Sequence, residues 1–208
     1  TAERDPADLK WDAVEAGYVV ESTGLFLTEE TASKHIAAGA KYVVLSAPSK
    51  DATPMFVMGV NSDEYAGQTI VSNASCTTNC VAPILKVLEK HIGVKRCFFT
   101  TIHGYTSDQR IVDGPHKDLR RARAAAVNMI PTSTGADVAT VDAIPSLAGK
   151  IRGSAIRVPL VDGSATDFTI EMKKSVTVEE INKLFKKHAA GKFKGIIEYS
   201  EDELVSSD

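Results

Sequence analysis

Short β-branched runs separated by single-helix spacings constrain this chain more than any other feature. Tyr18-Val19-Val20-Glu21, Lys41 to Ser46 (KYVVLS) and Thr69-Ile70-Val71 have the apolar texture of strands covered on both faces, as in a parallel sheet. Between the first two, Thr28 is a good N-cap, Glu29 and Glu30 suit the positive end of a helix, and Gly39 stops a helix running through Ala38. The spacing also predicts a short amphipathic helix over Asp8–Val14 and renewed β character over Met55–Val60. Strand, helix and strand with short connections imply part of a doubly wound α/β sheet. The turns Ser22-Thr23-Gly24 and Ser46-Ala47-Pro48 would then lie at the carboxyl ends of strands, where such sheets bind ligands.

The third run leads into Ser72-Asn73-Ala74-Ser75-Cys76-Thr77-Thr78-Asn79-Cys80. Val81, Leu85, Leu88 and Ile92 follow at helical spacing, with Gly93 as a stop. Cys76 thus opens a helix, among N–H groups that have no intrahelical partner. The positive helix end favours an anion there, a reactive thiolate or a developing oxyanion. Cys97 to Ile102 reads as a strand ending at His103, so a Cys–His couple on separate elements is available. Spacing alone leaves that couple and a buried, inert thiol both open. Cys80 lies one turn beyond Cys76, but two thiols without a second cluster make no zinc site, and no metal is expected.

After Val94 the texture changes. A long polar segment, Gly104 to Asn128, holds the basic cluster His116 to Arg123 and is long for an idle loop. Ile130 to Gly135 reads as a turn into a helix over Ala136–Ile144. Ser154–Val158 and the alternating Phe168, Ile170 and Met172 read as strands. Thr177 and Glu180 form a capping box for a helix with Ile181, Leu184, Phe185 and His188 on one stripe, and Ile196–Tyr199 begins a last strand. Strands with segregated helices suggest a second, mostly antiparallel α+β domain. His35, His91, His116 and His188 read as surface or helix-face residues.

A formal charge of −3 gives no footprint for nucleic acid or an anionic membrane, and the basic cluster lacks the aromatic platforms that single strands need. No apolar run approaches the length of a membrane span, the first residues lack signal-peptide features, and three cysteines form no disulfide framework, which points to a reducing cytoplasm. There is no G-x-G-x-x-G run, so either the cofactor is no dinucleotide or the chain enters the sheet after its first βαβ unit; the second fits better. Arg121 and Arg157, with the hydroxyls of Thr77, Thr106 and Thr134 and the turn at Gly135, supply donors that phosphate groups want.

With these residues in view, the chain resembles the phosphorylating glyceraldehyde-3-phosphate dehydrogenases. The resemblance rests on SNASCTTNC (72–80), HGYTSDQR (103–110), DLRRARAAA (118–126), IPTSTGA (130–136) and LVSSD (204–208), and upstream on ERDP, STGLF and SAPSK, all in collinear order. It implies residues 1–75 as the second part of a Rossmann-type NAD-binding domain and 76–208 as a catalytic domain, incomplete at its C-terminal side. Cys76 would be the nucleophile and His103 its base and oxyanion partner. Ser75, Thr77, Thr106, Arg121, Thr134, Gly135 and Arg157 would surround two anion pockets, for the phosphorylated aldehyde and for inorganic phosphate, with Asp108 orienting Arg157. Arg4, Thr23, Phe26 and Ser46 would line the cofactor side, with NAD expected and NADP left open. The segment 104–128 resembles a loop at a subunit interface, hence a homotetramer of glycolysis. Departures are the absent G-x-G-R-I-G-R unit and C-terminal part, Gly104 where Ser or Ala is usual (expected to loosen the strand end), the run Val158 to Ser164, and the added charges Asp137 and Asp142. These keep two alternatives in view, an erythrose-4-phosphate dehydrogenase and a non-catalytic piece.

Overall fold

The computed structural model describes residues 2–208. β1 (Tyr18–Glu21), β2 (Tyr42–Leu45) and β3 (Ile70–Ser72) form a parallel sheet in that order, with Val43 and Leu45 fully buried. The helix α1 (Glu29–Ala37) covers one face, where Ala32 joins Leu27, Val43, Leu45 and Ile70 in a small core. Its box is closed by threonines at both positions, since Thr31 rather than an acid reaches back to the Thr28 N–H. In register, Glu21, Leu45 and Ser72 are level, so the three strands end along one edge. The ladder continues past them, with Ser46 N–H donating to the Glu21 carbonyl (3.0 Å) and Asn73 N–H to that of Leu45 (2.9 Å).

From that edge the chain passes directly into α2 (Cys76–His91). The second sheet holds β4 (Val94–Gly104), β5 (Ile130–Thr132), β6 (Ile151–Val158) and β7 (Ser164–Met172) in the order β5–β6–β4–β7. Its outer pairings are antiparallel and its central β4–β6 pairing is parallel. Alternate residues of β4, namely Cys97, Phe99, Thr101 and His103, are buried, and Phe99 packs in the main core with Val81, Leu85 and Leu88 of α2 and Ala136 and Ala143 of α3 (Ala136–Ala143). Gly153 of β6 stands opposite Phe99, so close that a Cβ there would fall 2.3 Å from the ring. Amphipathic α4 (Val178–Ala190), capped by Thr177 and Glu180, lays Ile181, Leu184 and Phe185 on the same core. This is an α/β sheet followed by a mixed sheet with segregated helices.

Four expected segments take other forms. Ile130 to Gly135 is not a turn throughout, because Ile130–Thr132 pairs with β6 as β5. Asp8–Val14 is not a helix but part of two 3-10 turns, Pro6–Asp8 and Asp12–Val14. Between them Leu9 is extended, and the Trp11 N–H donates to the Ala38 carbonyl, so a tertiary bond displaces the helical one. Over Met55–Val60 only one bridge forms, between Met55 and Ser72. Asn61 explains the rest: its amide accepts from Val57 N–H (2.8 Å) and donates to the Met55 carbonyl (2.9 Å), taking backbone partners that a strand would need. Ile196–Tyr199 forms no strand, because the N–H groups of Ile196 and Ile197 both turn back to the Phe193 carbonyl.

Candidate active site

Several small polar residues around Cys76 have structural tasks. Ser75 is the N-cap of α2, its hydroxyl accepting from Thr78 N–H (3.1 Å) and contacting the Thr78 hydroxyl (2.7 Å). Ala74 is buried with a φ of 60°, a costly conformation for a residue with a side chain. It is over-determined from both sides: the Ser72 hydroxyl accepts from Ala74 N–H, and the Asn79 amide donates to the carbonyls of Asn73 (2.8 Å) and Ser75 (3.0 Å). Cys76, the first helical residue, is left exposed, while Thr77 and Thr78 are buried beneath it.

His103 is the penultimate residue of β4 and lies 3.1 Å through Nε2 from the Cys76 sulfur. Its Nδ1 lies 2.6 Å from the Gly104 carbonyl. A carbonyl only accepts, so Nδ1 carries the proton and Nε2 is free to take one from the thiol or, once charged, to hold the thiolate. Gly104 does not loosen this strand end. A Cβ there would fall 2.7 Å from the Leu160 carbonyl oxygen, and the chain is pinned by Gly104 N–H on Gly163 and Tyr105 N–H on Leu160. Glycine is what permits the close approach.

The register pairs His103 of β4 with Arg157 of β6. Arg157 Nη1 donates to the Gly104 carbonyl (3.1 Å), the Thr106 hydroxyl (3.1 Å) and the Gln109 side-chain oxygen (3.4 Å), while its Nε is buried without a partner among the described residues. Burial pulls the guanidinium below its usual pKa and Arg121 adds to this, while negative charge on Cys76 and Asp108 opposes it. Gln109 is almost wholly buried, and its amide nitrogen too has no partner. Arg121 reaches in from the 104–128 segment, bonded to Asp108, to the Thr132 hydroxyl (3.0 Å) and to the Ser133 carbonyl (3.3 Å).

Asp108 was expected to orient Arg157, and this is corrected: its carboxylate is occupied by Arg121 and faces His116 at 3.6 Å. Burial alone would raise the Asp108 carboxyl, but the Arg121 bond and charge outweigh it and hold the group below the usual carboxylate range. Gln109, part of a motif singled out above but given no role there, anchors Arg157 instead. Thr134 and Gly135 sit at the start of α3, where the Thr134 hydroxyl accepts from Ala136 N–H. Gly135 lines a cleft with Pro48, Asp51, Phe56, Val138 and Asp142, and Cys76 is not among the residues of that cleft.

At the edge of the first sheet, Ser46 and Thr23 lie exposed at the ends of β2 and β1, and Phe26 is half-buried, edge-on to the His35 ring at 6.3 Å. Arg4 is exposed ahead of the Pro6 turn, next to Asp5, which pairs with Lys34 of α1 at 2.9 Å. Of the histidines read as surface or helix-face residues, His35 is buried between Trp11 and Glu21, and the His116 side chain is largely covered, 3.6 Å from Asp108. Cys80 is exposed, and Cys97 is buried with its thiol pushed up to about 11 by desolvation. Among the described residues no group of three or more potential ligands could hold a metal ion, and no helix is long and apolar enough to cross a membrane.

Residues 75–208 match the family model described as glyceraldehyde 3-phosphate dehydrogenase, C-terminal domain. Over its whole length the chain is 56% identical to the glyceraldehyde-3-phosphate dehydrogenase of Serratia marcescens, spanning 71% of that protein. It is 54% identical to glyceraldehyde-3-phosphate dehydrogenase A of Escherichia coli K12, spanning 63% of it, and 55% identical to the Streptomyces coelicolor enzyme, spanning 62%. The chain belongs to the glyceraldehyde-3-phosphate dehydrogenase family.

Proposed function

We propose that this chain carries the thiol chemistry of a phosphorylating dehydrogenase that converts glyceraldehyde 3-phosphate, inorganic phosphate and NAD to 1,3-bisphosphoglycerate and NADH in cytoplasmic glycolysis. The observation that carries the reading is the 3.1 Å contact between Cys76 Sγ and His103 Nε2 at the first turn of α2. His103 Nε2 takes the thiol proton, and the sulfur attacks the aldehyde carbon. The carbonyl electron pair moves to oxygen, where the His103 N–H and the free amides of the helix start stabilise it. The chemistry that bound NAD supplies is hydride acceptance, by which the hemithioacetal is oxidised to a thioester on Cys76. A phosphate oxygen then adds to the thioester carbon, the C–S bond breaks, and the acyl phosphate leaves a thiolate on Cys76.

Arg157 supports the anion reading with a buried, unpaired N–H beside this centre, a donor that a phosphate oxygen would satisfy. Thr106 and Arg121 are held by the same loop, and Ser75, Thr77, Thr134 and Gly135 are read with them around two phosphate pockets. The cofactor side is read at Arg4, Thr23, Phe26 and Ser46. An exposed turn and hydroxyls at the carboxyl edge of parallel strands fit a dinucleotide there, with residues 1–75 as part of its domain and 76–208 as the catalytic domain. A homotetramer is supported by the 104–128 segment, where Ile111, Val112, Leu119 and Val127 are 57–81% exposed, a surface that another subunit would cover.

The test uses the full-length protein. One equivalent of iodoacetate, mapped to Cys76 by peptide mass, should abolish NADH formation from glyceraldehyde 3-phosphate and phosphate. Retained full activity after complete modification of Cys76 refutes the reading.

A further inference from the structure

A chain of hydrogen bonds runs through the interior of the first sheet to its ligand-facing edge. The Trp11 indole N–H lies 3.1 Å from His35 Nδ1, and His35 Nε2 lies 2.9 Å from Glu21 Oε2. The other carboxylate oxygen of Glu21 accepts from both the N–H (2.7 Å) and the hydroxyl of Thr23. The Thr23 hydroxyl in turn accepts from Leu25 N–H at 3.2 Å. Glu21 is 2% exposed and His35 4%.

The chain has one consistent direction. An indole N–H only donates, so Nδ1 of His35 must be the acceptor and Nε2 must carry the proton. Nε2–H therefore donates to Glu21, whose carboxylate accepts at every position and donates at none. Burial would push that carboxyl upward, but the bonds from Thr23 and His35 outweigh it and keep the group below its usual value. The buried anion in turn holds the Ser22-Thr23-Gly24 turn through the N–H and hydroxyl of Thr23.

We propose that Trp11, His35 and Glu21 are positioning residues that preset the turn after β1 for the cofactor by fixing the tautomer of His35. This rests on the reading of that turn as part of the NAD side, and it concerns no residue that would itself touch the ligand. Because the turn is already held, it need not be ordered when the cofactor arrives, which is where affinity is usually lost.

Direction makes the proposal testable. In Glu21→Gln one arm of the side chain becomes a donor. If the amide nitrogen faces His35, the ring must move its proton to Nδ1, where it meets the Trp11 N–H. If the amide is flipped, its nitrogen meets the two Thr23 donors. Either way one donor faces another. Removing the indole N–H relieves the first arrangement, so Trp11→Phe should rescue Glu21→Gln.

In the full-length protein, calorimetric titration with NAD should show binding about tenfold weaker in Glu21→Gln, with the KM for inorganic phosphate unchanged. The double variant Trp11→Phe/Glu21→Gln should return to within about threefold of Trp11→Phe alone, and its melting temperature should recover in parallel. Glu21→Ala, which leaves no donor to conflict, should gain nothing from Trp11→Phe. A double variant as weak as the product of the single effects, or one that fails to fold where Trp11→Phe folds, overturns the proposal. Unmodified protein that does not bind NAD overturns the cofactor reading instead, an outcome told apart because the melting-temperature rescue is read in the same samples.

Discussion

Replacing Gly153 with alanine tests the packing beneath the site. Strand propensity alone makes the change favourable, since glycine in a strand interior costs about 0.5–1 kcal/mol relative to alanine. The structure reverses the sign. A Cβ at 153 would lie 2.3, 2.6 and 2.8 Å from three atoms of the Phe99 ring, well inside van der Waals contact. Phe99 has no exposed surface and packs at 6.1 Å from the Phe168 ring, so it cannot swing into solvent. Overpacking of this kind costs about 1–3 kcal/mol. At 2 kcal/mol the melting temperature should fall by about 4–8 °C for a chain of this size. Thermal unfolding followed by circular dichroism reads the loss, and Phe99→Leu supplies the control, because it removes the ring atoms that clash. The double variant should be less destabilised than the sum of the singles by at least about 1 kcal/mol. Additivity within about 0.5 kcal/mol, or a Gly153→Ala protein as stable as its parent, would refute the steric argument.

Two further outcomes follow from buried groups. Cys97, 4% exposed and with its thiol pushed up to about 11, should resist a thiol reagent at mildly alkaline pH while Cys76 and Cys80 react, and peptide mapping should find it labelled only after unfolding; labelling at the same rate as Cys80 would contradict the burial. Glu89 is pushed up by burial, but its bonds from Val94 N–H (2.6 Å) and Lys150 (2.9 Å) win and lower its carboxyl in the folded state. Its stabilisation is therefore complete above the ordinary value of 4.5 and disappears as pH falls through the depressed one. Glu89→Gln should cost about 1–2 kcal/mol near neutrality and flatten the loss of stability below that value, and an unchanged acid limb in urea titrations would count against it.

Local signals were legible in the sequence where the physics is local. Thr28 and Thr177 cap the helices that they were expected to cap, and the β-branched runs at Tyr18 and Tyr42 pair in parallel. Met55–Val60 was not legible, because one asparagine six residues beyond Met55 takes the strand's backbone partners, and nothing in a pattern of apolar residues reveals that. The same limit applies at the site. Cys76 and His103 could be named from a helix start and a strand end, but the 3.1 Å between them depends on how α2 packs on β4. Asp108 pairs with Arg121 and not with Arg157, and sequence does not reveal this, because both arginines are distant in sequence and only the folded loop shows Arg121 filling the carboxylate. The burial of His35 is hidden in the sequence because it lies on a mostly polar helix; it comes from Trp11 and Glu21, each more than a dozen residues away.

The parallel pairing at the centre of an otherwise antiparallel sheet explains why His103 and Arg157 come together. Because β4 and β6 run the same way, His103 and Arg157 both reach the same edge near their carboxyl ends, level in register. An antiparallel pair would set the end of one strand beside the beginning of the other, and the 104–128 segment would leave from the edge opposite to the one where β6 ends. Here that segment instead starts next to Arg157, so Thr106 and Gln109 can grip the guanidinium within a few residues of the strand end. One oxygen joins the two functions: the Gly104 carbonyl accepts from His103 Nδ1 and from Arg157 Nη1. Moving that peptide would disturb the tautomer of His103 and the direction of Arg157 together, and a side chain at 104, whose Cβ would fall 2.7 Å from the Leu160 carbonyl oxygen, would force such a movement.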